Sequence, residues 1–264
     1  MSDQRILVAD VGNTQIVLGI YEGDRLLDSW RLATARDRTA DEYGILARQL
    51  IADRAAGGLA GAAVASVVPP LNPVIREMIQ KSFDTDPLFV EPGVKTGLSI
   101  QTENPLEVGA DRIANAVAAF TLFGGPTVVV DFGTATTFDV VTARGEYRGG
   151  VIAPGLTISA EALFSRAARL PRVDVKRPSQ LIGTNTVASM QSGIYYGYLG
   201  LIDGLLERIR GEIEAVKTVV ATGGLAPMLA RDSRYIEHVD LELTMKGLKI
   251  IWDRNQSKRT ARHR

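Results

Sequence analysis

The chain has 264 residues, 30 basic and 30 acidic side chains, no cysteine, two histidines and 45% apolar residues. That length suits one large domain or two ordinary ones, and the lack of cysteine excludes disulfides, a thiol nucleophile and thiolate metal sites. With only His238 and His263, a Ser-His-Asp triad or multi-histidine metal centre is nearly excluded, and zero formal net charge provides no field to draw in nucleic acid.

The first strands are predicted between residues 5 and 32, and Met1-Ser2-Asp3-Gln4-Arg5 leads into them without a signal-peptide apolar region. No apolar run reaches the roughly 18 residues needed to span a bilayer, so a cytoplasmic location away from membranes is expected. Ile6-Leu7-Val8-Ala9 runs into Asp10-Val11-Gly12-Asn13-Thr14, then Gln15 and a second strand, Ile16-Val17-Leu18-Gly19-Ile20-Tyr21. A helix is predicted over 40–54, with Thr39 as N-cap and Tyr43, Leu46, Ala47 and Leu50 on one face. A buried strand over 62–68 ends at Pro69-Pro70, and a helix over 73–82 and a short strand over 88–90 follow.

After a loop-rich stretch comes Gly109-Ala110-Asp111-Arg112, opening a helix with Ile113, Ala116, Val117 and Phe120 on one side. A helix start favours anions, so Asp111 is expected to stay ionised and accept a hydrogen bond from a hydroxyl. Arg112 can clamp a carboxylate or phosphate with paired donors. The alternative is an acid in a first helical turn beside a surface arginine. Gly124-Gly125-Pro126 ends this helix and marks the expected boundary between domains 1–125 and 126–264.

The second half repeats the first. Thr127-Val128-Val129-Val130 runs into Asp131-Phe132-Gly133-Thr134-Ala135, and a second strand and then a third follow at the same offset. Backbone amides at such a turn form an anion site, with Thr and Asn as neutral donors. An Asp there repels phosphate, so it is expected to act through a cation or water. One copy alone is equally an ordinary hairpin turn; two copies with matched flanks point to a nucleotide. Helices over 156–168 and 186–213 follow, then a strand over 218–221 that Gly223-Gly224 breaks. That glycine pair is either a strand-ending turn or a surface for a flat group. Thr186 is either an N-cap or a hydroxyl for a polar substrate. The order βββαβα, twice, points to an α/β fold of two similar domains. The basic run Lys258 to Arg264 reads as a solvated tail.

Together, Asp10–Thr14, Asn104-Pro105 with Val108–Arg112, Asp131–Thr137, Gly149–Gly155, and Asn185-Thr186 with Met190–Gly193 resemble type III pantothenate kinase. The match runs in order from residue 6 to about 230. The resemblance implies the acetate kinase, sugar kinase, Hsp70 and actin superfamily: two ribonuclease-H-like (actin-like ATPase) domains with a cleft between them. It implies ATP-dependent phosphorylation of pantothenate, the first step towards coenzyme A. It gives Asp10, Val11, Gly12, Asn13, Thr14, Gln15, Ile16 and Val17 as the first ATP loop and Thr134 as a further ATP contact. Gly109, Ala110, Asp111, Arg112 and Thr186 meet the substrate, with Asp111 as base. Asp131 resembles the ligand of a monovalent cation, K⁺ or NH₄⁺, and Mg²⁺ enters with ATP. Where many relatives have a substrate-contacting Tyr, this chain has Thr102. The alternatives are a non-enzymatic nucleotide-binding regulator of the Bvg accessory factor type, against which Asp111 argues, and another enzyme of the superfamily.

The family implies a homodimer. Ile194, Tyr195, Tyr198, Leu201, Ile202 and Leu205 lie at helical spacing and are more apolar than one core face requires, which offers a dimer surface unless both sides pack within the chain.

Overall fold

The computed structural model describes residues 4–55, 57–167 and 169–260. Ala168, expected to end a helix, and residues 261–264 of the expected basic tail lie outside them, while residues 258–260 of that tail continue the last helix. Two compact units divide the chain. The first comprises residues up to Leu98, Thr102–Ala118 and those from Glu242 on; the second comprises Ser99–Gln101 and Ala119–Leu241.

The first unit holds β1 (Arg5–Val11), β2 (Gln15–Glu22), β3 (Arg25–Ala33), α1 (Ala40–Ile51), β4 (Gly61–Ser66), α2 (Asn72–Phe83) and β5 (Pro87–Phe89). Its sheet order is β3-β2-β1-β4-β5, with β1 antiparallel to β2 and parallel to β4. Strand alternation sends Leu7, Ala9 and Val11 to one face, where they meet Ile16, Leu18 and Ile20 and the buried sides of α1 and α2, including Tyr43, Ile75 and Met78. Thr39 caps α1 with a full capping box to Glu42, as its sequence predicts.

The second unit repeats the plan with β7 (Thr127–Phe132), β8 (Ala135–Val141), β9 (Glu146–Pro154), α4 (Leu156–Arg166), α5 (Thr186–Glu212), β10 (Thr218–Thr222), α6 (Ala226–Ala230) and β11 (His238–Val239). Its order is β11-β10-β7-β8-β9, extended by the short β6 (Ser99–Ile100) beside β9. Val128, Val130, Phe138 and Val140 pack with Tyr195, Tyr198, Ile202 and Leu206 of α5.

Helix α3 (Ala110–Phe123) begins in the first unit and ends in the second. The last helix, α7 (Leu243–Thr260), packs on β1 and β4, so the chain from Glu242 on belongs with the first unit rather than continuing the second. Leu248, Ile251 and Trp252 supply its buried side. Among the described residues no helix is long and apolar enough to cross a membrane.

Candidate active site

In the first unit, the β1–β2 hairpin pairs Asp10 with Val17 and Val11 with Ile16. Gly12 N donates to the Gln15 carbonyl at 3.0 Å and closes the turn. Thr34, just beyond β3, holds the turn from its flank. Its hydroxyl donates to the Gly12 carbonyl at 2.7 Å and its amide to the Thr14 carbonyl at 3.0 Å. Arg36 brings a positive charge to the same turn, with Nη2 donating to Asn13 Oδ1 at 3.2 Å. Asn13, Thr14 and Gln15 are exposed, while the Val11 and Ile16 side chains are in the core and leave only their backbone to a ligand.

The same unit brings Gly109–Arg112 to this turn through one residue. Val67, directly after β4, donates its amide to the Val11 carbonyl at 3.1 Å. Its Cγ1 would stand 3.3 Å from a Cβ placed on Gly109. That Cβ would also lie 2.5 Å from Asp111 Oδ1, so a side chain at 109 would push the carboxylate from its present place. Asp111 Oδ1 accepts from the Arg112 amide at 2.7 Å in the first turn of α3, where the helix end favours negative charge.

Helix α7 braces the next turn of α3. Thr244 Oγ1 donates to the buried Asn115 Oδ1 at 2.7 Å, and Gly247 packs against the Ala114 carbonyl with no space for a side chain. Thr34, Arg36, Val67 and this brace were not singled out from sequence. Thr34 and Arg36 carry no motif of their own, and their part follows from strand pairing that brings the end of β3 beside the β1–β2 turn.

In the second unit, the β7–β8 hairpin pairs Asp131 with Thr137 and Phe132 with Thr136. Gly133 N donates to the Ala135 carbonyl at 3.1 Å, and Gly155 N to the Thr134 carbonyl at 3.2 Å. Thr134 is exposed. Asp131 also lies opposite Thr222 of β10, the residue before Gly223. Gly223 has φ +87°, a left-handed conformation suited to glycine. A Cβ there would stand 2.8 Å from Asp131 Oδ1 and 2.6 Å from the Phe132 carbonyl. The Asp131 carboxylate and the Phe132 carbonyl thus lie close against Gly223, where a side chain would not fit.

At the start of α5 the cap is Asn185, whose Oδ1 accepts from the Ala188 amide at 2.9 Å. Thr186 is therefore the first helical residue and not the N-cap. Its exposed side chain borders a concavity of about 630 Å³, with Thr184 and Ser189 on the polar side and Leu163, Leu170 and Met190 on the apolar side. The apolar run on α5 faces inward: Tyr195, Tyr198 and Ile202 are buried in the second unit's core, and Ile194, Leu201 and Leu205 pack against it. The apolar excess expected to form a dimer face is in large part this core. The Thr102 hydroxyl is buried without a hydrogen-bond partner. Among the described residues, no group of three or more His, Asp or Glu side chains could hold a metal ion.

A model of the family described as type III pantothenate kinase matches residues 6–208. The chain is 56% identical to a type III pantothenate kinase of Koribacter versatilis, with 96% of each chain covered. It is 53% identical to one of Geobacter sulfurreducens, with 95% of this chain and 99% of that one covered. Among solved structures, the activator of 2-hydroxyisocaproyl-CoA dehydratase from Clostridium difficile, with bound ADPNP, aligns with TM-score 0.58 at 12% identity, covering 99% of this chain and 98% of that one. A ROK family glucokinase from Streptomyces griseus, in complex with glucose and AMPPNP, aligns with TM-score 0.55 at 11% identity, covering 94% and 98%. These structural likenesses establish the fold: two ribonuclease-H-like domains of the actin-like ATPase type.

Proposed function

The chain belongs to the type III pantothenate kinase family, and on that premise we propose that Asp111 is its catalytic base. The protein transfers a phosphoryl group from ATP to pantothenate, giving 4'-phosphopantothenate and ADP in the first step of coenzyme A biosynthesis. The observation that carries the assignment of Asp111 is local. Val67 touches both the Val11 end of the first turn and Gly109, whose missing side chain leaves space for the Asp111 carboxylate.

In the transfer, a bond forms between the primary hydroxyl oxygen of pantothenate and the γ-phosphorus. The bond from that phosphorus to the β–γ bridging oxygen breaks, and ADP leaves. The transition state is loose and its charge is spread over oxygens, so the protein contributes mainly by positioning and electrostatics. Asp111 orients the hydroxyl and takes its proton as the new bond forms. Arg112 supplies paired donors for the substrate carboxylate or the moving phosphoryl group. The turn from Asp10 to Val17 offers backbone amides and the Asn13 and Thr14 side chains to phosphate. In the second unit, Thr134 offers its hydroxyl to ATP, and the Thr186 hydroxyl binds pantothenate beside apolar walls that suit its methyl groups.

A divalent metal accompanies ATP, as in kinases generally, held by the phosphates and one or two carboxylates. Asp131 and the Phe132 carbonyl are the groups that would hold a monovalent cation, K⁺ or NH₄⁺, which supplies positive charge where the carboxylate alone would repel phosphate. We place the enzyme in the cytoplasm, in keeping with a sequence that shows no signal-peptide pattern, and the family resemblance implies a homodimer.

The test is ATP consumption with and without pantothenate, for the native chain and Asp111→Asn. Pantothenate-dependent turnover that falls sharply in a folded Asp111→Asn protein supports the reading. Retained turnover in that variant places the base elsewhere.

A further inference from the structure

We propose that Tyr198 is a positioning residue that sets the second nucleotide turn, Asp131–Ala135, from beneath. The inference rests on the reading of that turn, and of Thr134 in particular, as an ATP contact.

Tyr198 lies on the core side of α5 and is buried, as is Thr136. Its hydroxyl stands 2.6 Å from Thr136 Oγ1 and 2.9 Å from the Pro154 carbonyl. A carbonyl can only accept, so the phenol proton goes to Pro154, and the Thr136 hydroxyl donates to the phenol oxygen. These two partners frame the turn. Thr136 is opposite Phe132 on one side and Ala153 on the other, and Pro154 is opposite Ala135. The residue after Pro154 is Gly155, whose amide binds the Thr134 carbonyl at 3.2 Å. One phenol therefore pins α5 to β8 at Thr136 and to β9 at Pro154, beside the turn.

The next buried residues on this face, Ile202 and Leu206, offer packing without polar direction. The Tyr195 hydroxyl points elsewhere, to the Met228 carbonyl and Asp232. Water does not readily replace a lost partner at a buried site, so removing the Tyr198 hydroxyl leaves Thr136 and Pro154 to re-pair by moving. Movement there is passed to Thr134 through Pro154 and Gly155. The sequence offered Tyr198 as a dimer contact; its place in the fold gives it this role instead.

The experiment compares Tyr198→Phe, Thr136→Val, their double variant and Thr134→Ala in the full chain. KM for each substrate and thermal midpoint are measured. Both single changes of the pair are expected to raise KM for ATP by about three- to tenfold while KM for pantothenate stays within about twofold, a loss of ATP positioning. The double variant is expected to be no worse than the poorer single one, because contacting partners are not additive. A lower thermal midpoint with unchanged KM for ATP in both Tyr198→Phe and Thr136→Val overturns the proposal and leaves a purely structural bond. Thr134→Ala separates the two readings. If it raises KM for ATP and the Tyr198 pair does not, the positioning role fails and the ATP contact stands. If the pair raises KM for ATP and Thr134→Ala does not, the turn is positioned by Tyr198 but its contact with ATP is made by backbone. If none of these variants changes KM for ATP, both readings fail.

Discussion

Gly223 lies so close to Asp131 that a single methyl group on it would stand 2.8 Å from Asp131 Oδ1. This closeness comes from paired strand ends, since Asp131, the penultimate residue of β7, lies opposite Thr222, the last of β10, and Gly223 follows directly. Activity is expected to need K⁺ or NH₄⁺ and to be weak in tetramethylammonium at equal ionic strength. Gly223→Ala should weaken cation activation by about tenfold or more, with a further cost from the strained φ. The same change in an Asp131→Ala background should alter cation response no further. Equal rates in all cations would remove Asp131 from this role.

Asp111→Asn should lower kcat by about two to four orders of magnitude, the usual worth of general-base help. Its thermal midpoint should stay close to that of the native chain, because the Arg112 amide keeps an acceptor at the same place. Single-turnover rates with saturating ATP would check this.

Thr102→Val tests whether the buried, unpaired Thr102 hydroxyl awaits substrate. An unsatisfied buried hydroxyl costs about 1–3 kcal/mol. The isosteric valine should therefore match or raise the thermal midpoint of the ligand-free protein. If the hydroxyl meets pantothenate, KM for pantothenate should rise by about three- to tenfold, in line with a lost hydrogen bond. An unchanged KM would assign Thr102 to the scaffold alone.

Asp232 accepts from Arg177 Nε at 2.5 Å and from the Tyr195 hydroxyl at 2.8 Å. The Arg177 bond first, and then the Tyr195 bond, hold its carboxyl below the ordinary range. The unfolded chain then binds more protons than the folded one in acid, so this stabilisation is present above about pH 4 and is lost as pH falls through the folded value. Burial first, and then the bond to Asp232, pushes the Tyr195 hydroxyl up to about 12. Here the folded chain keeps its proton longer, so stability falls as pH rises from about 10 towards 12. Thermal melts should show Asp232→Asn less stable than the native chain at pH 7, with the gap narrowing in acid. Tyr195→Phe should flatten the alkaline limb. A gap independent of pH would rule out this linkage.

Sedimentation should give twice the chain mass if the enzyme is a homodimer. With Tyr195, Tyr198 and Ile202 facing their own core, the outer side of α5 presents Gly193, Gly197 and Gly200, each exposed and with open space where a Cβ would go. Glycine in a helix interior costs about 1 kcal/mol against alanine, and nothing within 4 Å of these positions requires it. Gly197→Arg is expected to weaken the dimer. A native chain that is monomeric and fully active at assay concentration would overturn the homodimer.

The duplicated turns were legible from the amino-acid order because they are local. An apolar run, an Asp and a glycine turn fix a strand and its hairpin within a few residues, and Asp10–Thr14 and Asp131–Ala135 fold that way. The Thr39 cap and the Gly109–Arg112 helix start were legible for the same reason. What pairs across long sequence separation was not. Val67 meets Gly109, Thr34 holds Gly12, Gly223 clears space for Asp131, and α7 returns to brace α3 and the first sheet. The apolar spacing on α5 marked Tyr198 as a residue to be buried but could not say against what. Helical periodicity records only that a face avoids water, whereas the partner of a phenol hydroxyl depends on which strand ends the finished sheet places beneath it.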